Sequence, residues 1–275
     1  MRALLLALLP ALARPGCLPL LPASPPLLWG AQYAAPSSPS TANKTGALFG
    51  EVLAAGGRLF QISLPWAALE TTPGQPNYLL VAQVLNEIQS VGAIPLFNLA
   101  LIDTNRVSVP PDLIDPSDPT RLRSGLNFTS PEVIGRVAAL VEVLAPLVAY
   151  HGGPYFGLGN EVDVNLGAHP DVAESFVDLV AEFQVYIRTL TAPSPLAVGA
   201  TLTVSGLGAL AASPPPWLTA LLQVADATPL TYYPLAAEFS VKADPAAWHA
   251  DILAAASLLP PGRCVVFQEF GIPSG

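Results

Sequence analysis

Two glutamates in this sequence stand where apolar runs end. Glu161 closes YFGLGNEVD (155–163), directly after Asn160, and Glu269 closes RCVVFQEFG (263–271), directly after Gln268. Two further runs finish on groups able to bind or orient: LPWAALE supplies Trp66 and Glu70, and LTYYP supplies Tyr232 and Tyr233. Two carboxyl groups brought together can divide one displacement between them. One attacks carbon, and the other protonates the departing oxygen and later activates water. The dipeptide alone is no signal, because Asn86-Glu87 sits inside VLNEIQSVG, where apolar residues at helical spacing make it part of a solvated helix face.

The elements that must position these groups alternate between strand-like and helical patterns. LLWGAQYA (27–34), RLFQISLPW (58–66), AIPLFNLALID (93–103), the YFGLGNEVD run, LAVGATLTV (196–204), ATPLTYYPL (227–235) and RCVVFQEFG read as seven strands. Amphipathic windows lie between them, among them YLLVAQVLNEIQSVG, EVIGRVAALVEVLAPLVAYH and VAESFVDLVAEFQVYIRTL. Strands this uniformly apolar are covered on both faces, and consecutive units without a reversal predict an α/β chain folded as a (β/α)₈ TIM barrel. Such barrels carry their sites at the C-terminal strand ends, where the polar residues above fall. No glycine-rich phosphate loop follows the first strand, which removes the support for a nucleotide-binding sheet. An eighth unit is not legible before the closing GIPSG, so a continuation adding one strand and one helix is expected.

Two carboxyl groups about 5 to 5.5 Å apart are what a retaining glycosidase needs. Asn-Glu ending the fourth strand, tyrosine near the end of the sixth and glutamate ending the seventh resemble the glycoside hydrolases of clan A. YYP and the E-x-G-x-P ending are similar to the endo-β-1,4-galactanase branch. The resemblance implies that Glu161 is the general acid/base, that Glu269 is the nucleophile, and that Asn160 bonds the sugar 2-hydroxyl. It implies that Tyr232 or Tyr233 holds the nucleophile; alternation along a strand lets only one of them point inward. Trp66 would stack on a sugar face. The chain departs from the pattern at the second strand, where many members place an arginine and FQISLPW offers Gln61, a hydrogen-bond donor without a charge. The alternative is a carbohydrate-binding barrel without turnover. The partner is a carbohydrate in either case, and no cofactor is implied.

Composition excludes other classes. With 52% hydrophobic and 11% charged residues in 275, the chain can bury a large core. The net charge is -9, and its 11 Lys and Arg residues form no stripe that could neutralise phosphates, so nucleic acid is not an expected partner. His151, His169 and His249 lie far apart without metal-ligand spacing, and no G-x-S-x-G elbow is present. Residues 1–13 read as a secretory signal, 14–26 as a proline-rich linker and 27–275 as the barrel, which predicts a secreted monomer with no membrane anchor after cleavage. Sequons at Asn43 and Asn127 fit that route, and Cys17 could reach Cys264 as a disulfide across the lower barrel face.

Overall fold

The computed structural model describes residues 30–32, 50–235, 240–242, 244–261 and 264–270. The signal, the linker, Asn43, Cys17 with its expected disulfide, and GIPSG all lie outside the described residues.

The apolar runs become strands β1 (Gly30–Gln32), β2 (Leu59–Pro65), β3 (Ile94–Ala100), β8 (Tyr155–Gly157), β9 (Ala197–Gly199), β10 (Leu202–Thr203), β11 (Ala227–Tyr232) and β12 (Cys264–Phe270). Between β3 and β8 the long loop holds two hairpins, β4 (Ile102–Asp103) with β5 (Arg106–Val107) and β6 (Ile114–Asp115) with β7 (Asp118–Leu122). The helices are α1 (Trp66–Leu69), α2 (Tyr78–Ser90), α3 (Pro131–Tyr150), α4 (Val162–Ala168), α5 (Pro170–Leu190), α6 (Val204–Leu210), α7 (Pro216–Val224) and α8 (Pro245–Ser257). Proline opens α3, α5, α7 and α8, a position where its missing N–H has no partner to lose.

Strands β1, β2, β3, β8 and β9 pair in that order, all parallel, and so do β10, β11 and β12. β9 and β10 are two stretches of one strand path. The Asp226 N–H donates to the Val198 carbonyl at 2.7 Å, which ties the second sheet to the first. Among the described residues, seven parallel strand paths therefore follow chain order around the barrel, with helices in the connections from β2 onward to β12.

Strand parity divides the core in two. Leu59, Leu96, Tyr155, Ala197, Ala227 and Val266, one from each of six strands, form a small cluster inside the barrel. Residues of the opposite parity on the same strands, such as Phe60, Phe97, Phe156, Val198 and Leu230, belong to the large cluster between strands and helices. Further up the inner face the residues turn polar. Asn98 donates to Ser63 Oγ at 3.1 Å and accepts from the Gly159 N–H at 3.2 Å. Gly157 makes room for it, since a Cβ there would lie 2.3 Å from Asn98 Oδ1. The glycine spacing of YFGLGNEVD thus clears space for an amide inside the barrel.

Candidate active site

Glu161 sits at the corner where β8 gives way to α4, and its backbone is left-handed, with φ 48° and ψ 43°. A side chain other than glycine avoids that conformation unless its surroundings enforce it. Here the β4–β5 hairpin does so. The Asn160 N–H donates to the Ile102 carbonyl and the Thr104 N–H to the Asn160 carbonyl, both at 2.9 Å. Thr104 is itself left-handed, with φ 59°. The two strained residues meet: Thr104 Oγ1 donates to Glu161 Oε2 at 2.8 Å, and Thr231 Oγ1 donates to Oε1 at 2.6 Å.

Asn160 is buried, and its Nδ2 donates to Asp103 Oδ1 at 3.1 Å. Its Oδ1 faces Gln268 Nε2 at 3.5 Å, while Gln268 Oε1 accepts from Thr201 Oγ1 at 2.5 Å. Gln268 and Glu269 are consecutive, yet both reach site residues. The cause is a β-bulge: Leu230 pairs with Phe267 and Thr231 with Glu269, which leaves Gln268 as the extra residue on β12. Glu269 then accepts from Tyr233 Oη at 2.7 Å on Oε2 and from Gln61 Nε2 at 3.3 Å on Oε1. Gln61 therefore does stand against the expected nucleophile, as an uncharged donor.

The two tyrosines separate as strand parity requires. Tyr233 shares the inner face with Thr231 and holds Glu269. Tyr232 turns outward into the core and donates to Asp251 Oδ2 on α8 at 2.7 Å. Burial pushes the Tyr233 phenol well up, and the Glu269 hydrogen bond, the Glu269 charge and the Glu161 charge push it further. Tyr233 thus stays a proton donor and lies in the field of both glutamates. Among the described residues neither glutamate takes part in an ion pair. Asp163, two residues beyond Glu161, is buried against Thr203, accepting from its N–H at 2.8 Å and its hydroxyl at 2.6 Å. Burial raises its carboxyl to about 6; the Thr203 bonds pull the other way and the Glu161 charge adds to the rise.

Trp66 corrects the sequence reading. It is 0% exposed, so no ring face is open to a sugar. After Pro65 the chain turns into α1, which carries the indole under the helices instead of over the barrel mouth. Trp66 Nε1 donates to Glu70 Oε2 at 2.6 Å, and Arg136 lies 5.4 Å from the ring centre. Arg136 also bridges Glu70 at 2.5 Å and Asp112 at 2.6 Å, so the first strand-end pair, Trp66 with Glu70, belongs to a packing network. Sequence reasoning missed Thr104, Asp103, Thr201 and Thr231. Only Thr231 carried a usable signal, its place two residues before a candidate tyrosine on one strand.

No family model matches the chain, and no curated protein matches it in sequence. Solved structures do match. An exo-β-1,4-mannosidase from Opitutaceae bacterium strain TAV5 is similar with a TM-score of 0.64 at 16% identity, over 90% of this chain and 46% of that one. A GH5_18 protein from Bifidobacterium longum subsp. longum ATCC 55813, solved in complex with Manβ1-4GlcNAc, gives a TM-score of 0.57 at 13% identity, over 76% of this chain and 50% of that one. The fold is that of the TIM-barrel glycosidases. Fungal β-1,4-galactanases share the barrel as well, with a TM-score of 0.57 at 13% identity over 90% of this chain and 75% of theirs. The chain spans about half the length of the first two neighbours. At these identities the barrel itself is what the comparison shares.

Proposed function

We propose that the protein is a retaining glycoside hydrolase that cleaves β-glycosidic bonds of a poly- or oligosaccharide with Glu161 and Glu269. The observation that carries the reading is that one strand end serves both carboxyl groups: Thr231 holds Glu161, and Tyr233, two residues on, holds Glu269. In the first step a Glu269 oxygen bonds the anomeric carbon, the glycosidic C–O bond breaks with its electron pair on the departing oxygen, and Glu161 gives that oxygen its proton. In the second, water attacks the same carbon as Glu161 takes its proton, and Glu269 leaves; two inversions return the original configuration. Asn160, fixed by Asp103 and Gln268, offers its amide to the 2-hydroxyl. Reading residues 1–13 as an export signal, we place this activity outside the cell, with the protein acting as a monomer.

The neighbours' named substrates define where to begin testing. Purified protein would be assayed on Manβ1-4GlcNAc, β-1,4-mannan and β-1,4-galactan, with the anomer formed first identified by NMR. A 2-deoxy-2-fluoro glycoside of the accepted sugar would be used to trap the intermediate. The expected result is a β-product and a covalent adduct on Glu269, located by mass spectrometry. An α-product, or an adduct elsewhere, overturns the double displacement. Sugar binding without any turnover would favour a carbohydrate-binding barrel.

A further inference from the structure

We infer that Thr231 and Thr104 are positioning residues that steer the Glu161 carboxyl through both halves of the reaction. The inference rests on the two-glutamate reading above and goes beyond it. An acid/base residue must carry its proton in one step and lack it in the next. A hydroxyl suits both, because it donates to a carboxylate and, after turning, accepts from a carboxylic acid; an amide N–H or a cation can only donate. Both Glu161 oxygens meet hydroxyls, Thr231 Oγ1 at 2.6 Å and Thr104 Oγ1 at 2.8 Å. Glu269, which has to remain a carboxylate until it attacks, meets the donor-only amide nitrogen of Gln61 beside the Tyr233 hydroxyl. Glu161 thus has a hydroxyl on each oxygen, whereas one Glu269 oxygen has a partner that can only donate.

The backbone points the same way. Thr104 holds a left-handed conformation that a β-branched residue disfavours, and it does so at the hairpin turn that brings its hydroxyl to Glu161. Thr231 is pinned through the β11–β12 ladder, where it pairs with Glu269 itself. Each hydroxyl therefore approaches from a separately fixed element, and together they leave the carboxyl little freedom to rotate.

The test compares Thr231→Val, Thr231→Ser, Thr104→Val and Thr104→Ser on phenyl and 2,4-dinitrophenyl β-mannosides and β-galactosides, using whichever sugar the wild type accepts. Phenolate needs a proton to depart and dinitrophenolate does not. The valine variants should lose about 10- to 100-fold in kcat/KM on the phenyl glycoside and less than about threefold on the dinitrophenyl one. On the latter, kcat and KM should fall together, because the second step still needs the base. The serine variants should stay within about threefold of wild type throughout. Equal losses on both leaving groups, or none on either, would overturn the inference while leaving the glycosidase reading intact. A wild type that turns over neither sugar and no β-linked glycan would sink that reading and this inference with it. Should Thr231→Val fail to fold, Thr104→Val carries the same leaving-group split on a different element.

Discussion

Asn86-Glu87 lies in the middle of α2 with both side chains exposed, whereas Asn160-Glu161 lies at the corner between β8 and α4 with its amide buried. The residue types are identical, and the order is identical. In α2 the backbone is regular helix, and the apolar neighbours Leu85 and Ile88 turn the pair toward water. At the barrel mouth the backbone of Glu161 is left-handed, each of its carboxyl oxygens is bonded to a threonine, and Asn160 is fixed by Asp103. The chemistry of the second pair thus comes from the corner that presents it and the hydroxyls that surround it. A solvent-exposed side chain has to be ordered before it can act, at an entropic cost that the barrel mouth has already met.

The largest effects should fall on the glutamates of the corner and of β12. Glu269→Ala should lower kcat/KM at least about 10⁴-fold, with azide restoring turnover to a product of inverted configuration. Glu161→Ala should cost about 10²- to 10⁴-fold on substrates with poor leaving groups and far less on dinitrophenyl glycosides. Equal losses on both substrate classes would contradict the assignment of roles.

A smaller effect concerns stability at the same corner. The folded-state carboxyl of Asp163 is raised to about 6, above its unfolded value, so between roughly pH 4 and 6 the folded chain binds more protons than the unfolded one. Stability should therefore fall by about 2–3 kcal/mol as pH rises through that window. Asp163→Asn should flatten that fall in urea denaturation at pH 4.5 and 7; an unchanged slope would show that Asp163 is not its source.

The tyrosines should divide next. Tyr233→Phe should cost about 10- to 100-fold in kcat/KM with little change in melting temperature, since it removes one hydrogen bond to the nucleophile. Tyr232→Phe should leave activity within about threefold and lower stability by about 1 kcal/mol, through the lost bond to Asp251. Reversed outcomes would mean that the inner face of β11 has been assigned with the wrong parity. The smallest effect belongs to the control dipeptide: Glu87→Ala should change stability by no more than about 0.5 kcal/mol and leave kinetics untouched.

The barrel was legible because its signals are long. Strand runs of seven residues or more and helical windows of thirteen to twenty-one give a period that can be counted, and β2, β3 and β12 begin and end within a few residues of the runs that predicted them. The β4–β5 and β6–β7 hairpins were not legible, since β4, β5 and β6 have two residues each, too few for a period, and β7, DPTRL, is largely polar. Their loss mattered, because β4 and the turn after it supply Asp103 and Thr104. Glu161 was found by its place at a strand end, but nothing in its type announces a left-handed backbone, which glycine would have done. Trp66 was misjudged because the strand was expected to run on past Pro65, and the chain instead turns into α1.

The bulge on β12 makes residue count a carrier of information separate from residue identity. Had the strand kept perfect alternation, Glu269 would face the helices on the side that Phe267 takes. Exchanging Gln268 for another side chain would alter its two contacts, to Asn160 and Thr201. Deleting its codon would remove the extra residue itself, leaving Phe267 paired with Leu230 and Glu269 with Thr231 in plain alternation, so Glu269 would keep its inward place. For β12, the extra residue is therefore what lets two consecutive side chains share the barrel mouth, and a homologue one residue shorter there should be read as keeping its nucleophile while losing the amide that reaches Asn160 and Thr201.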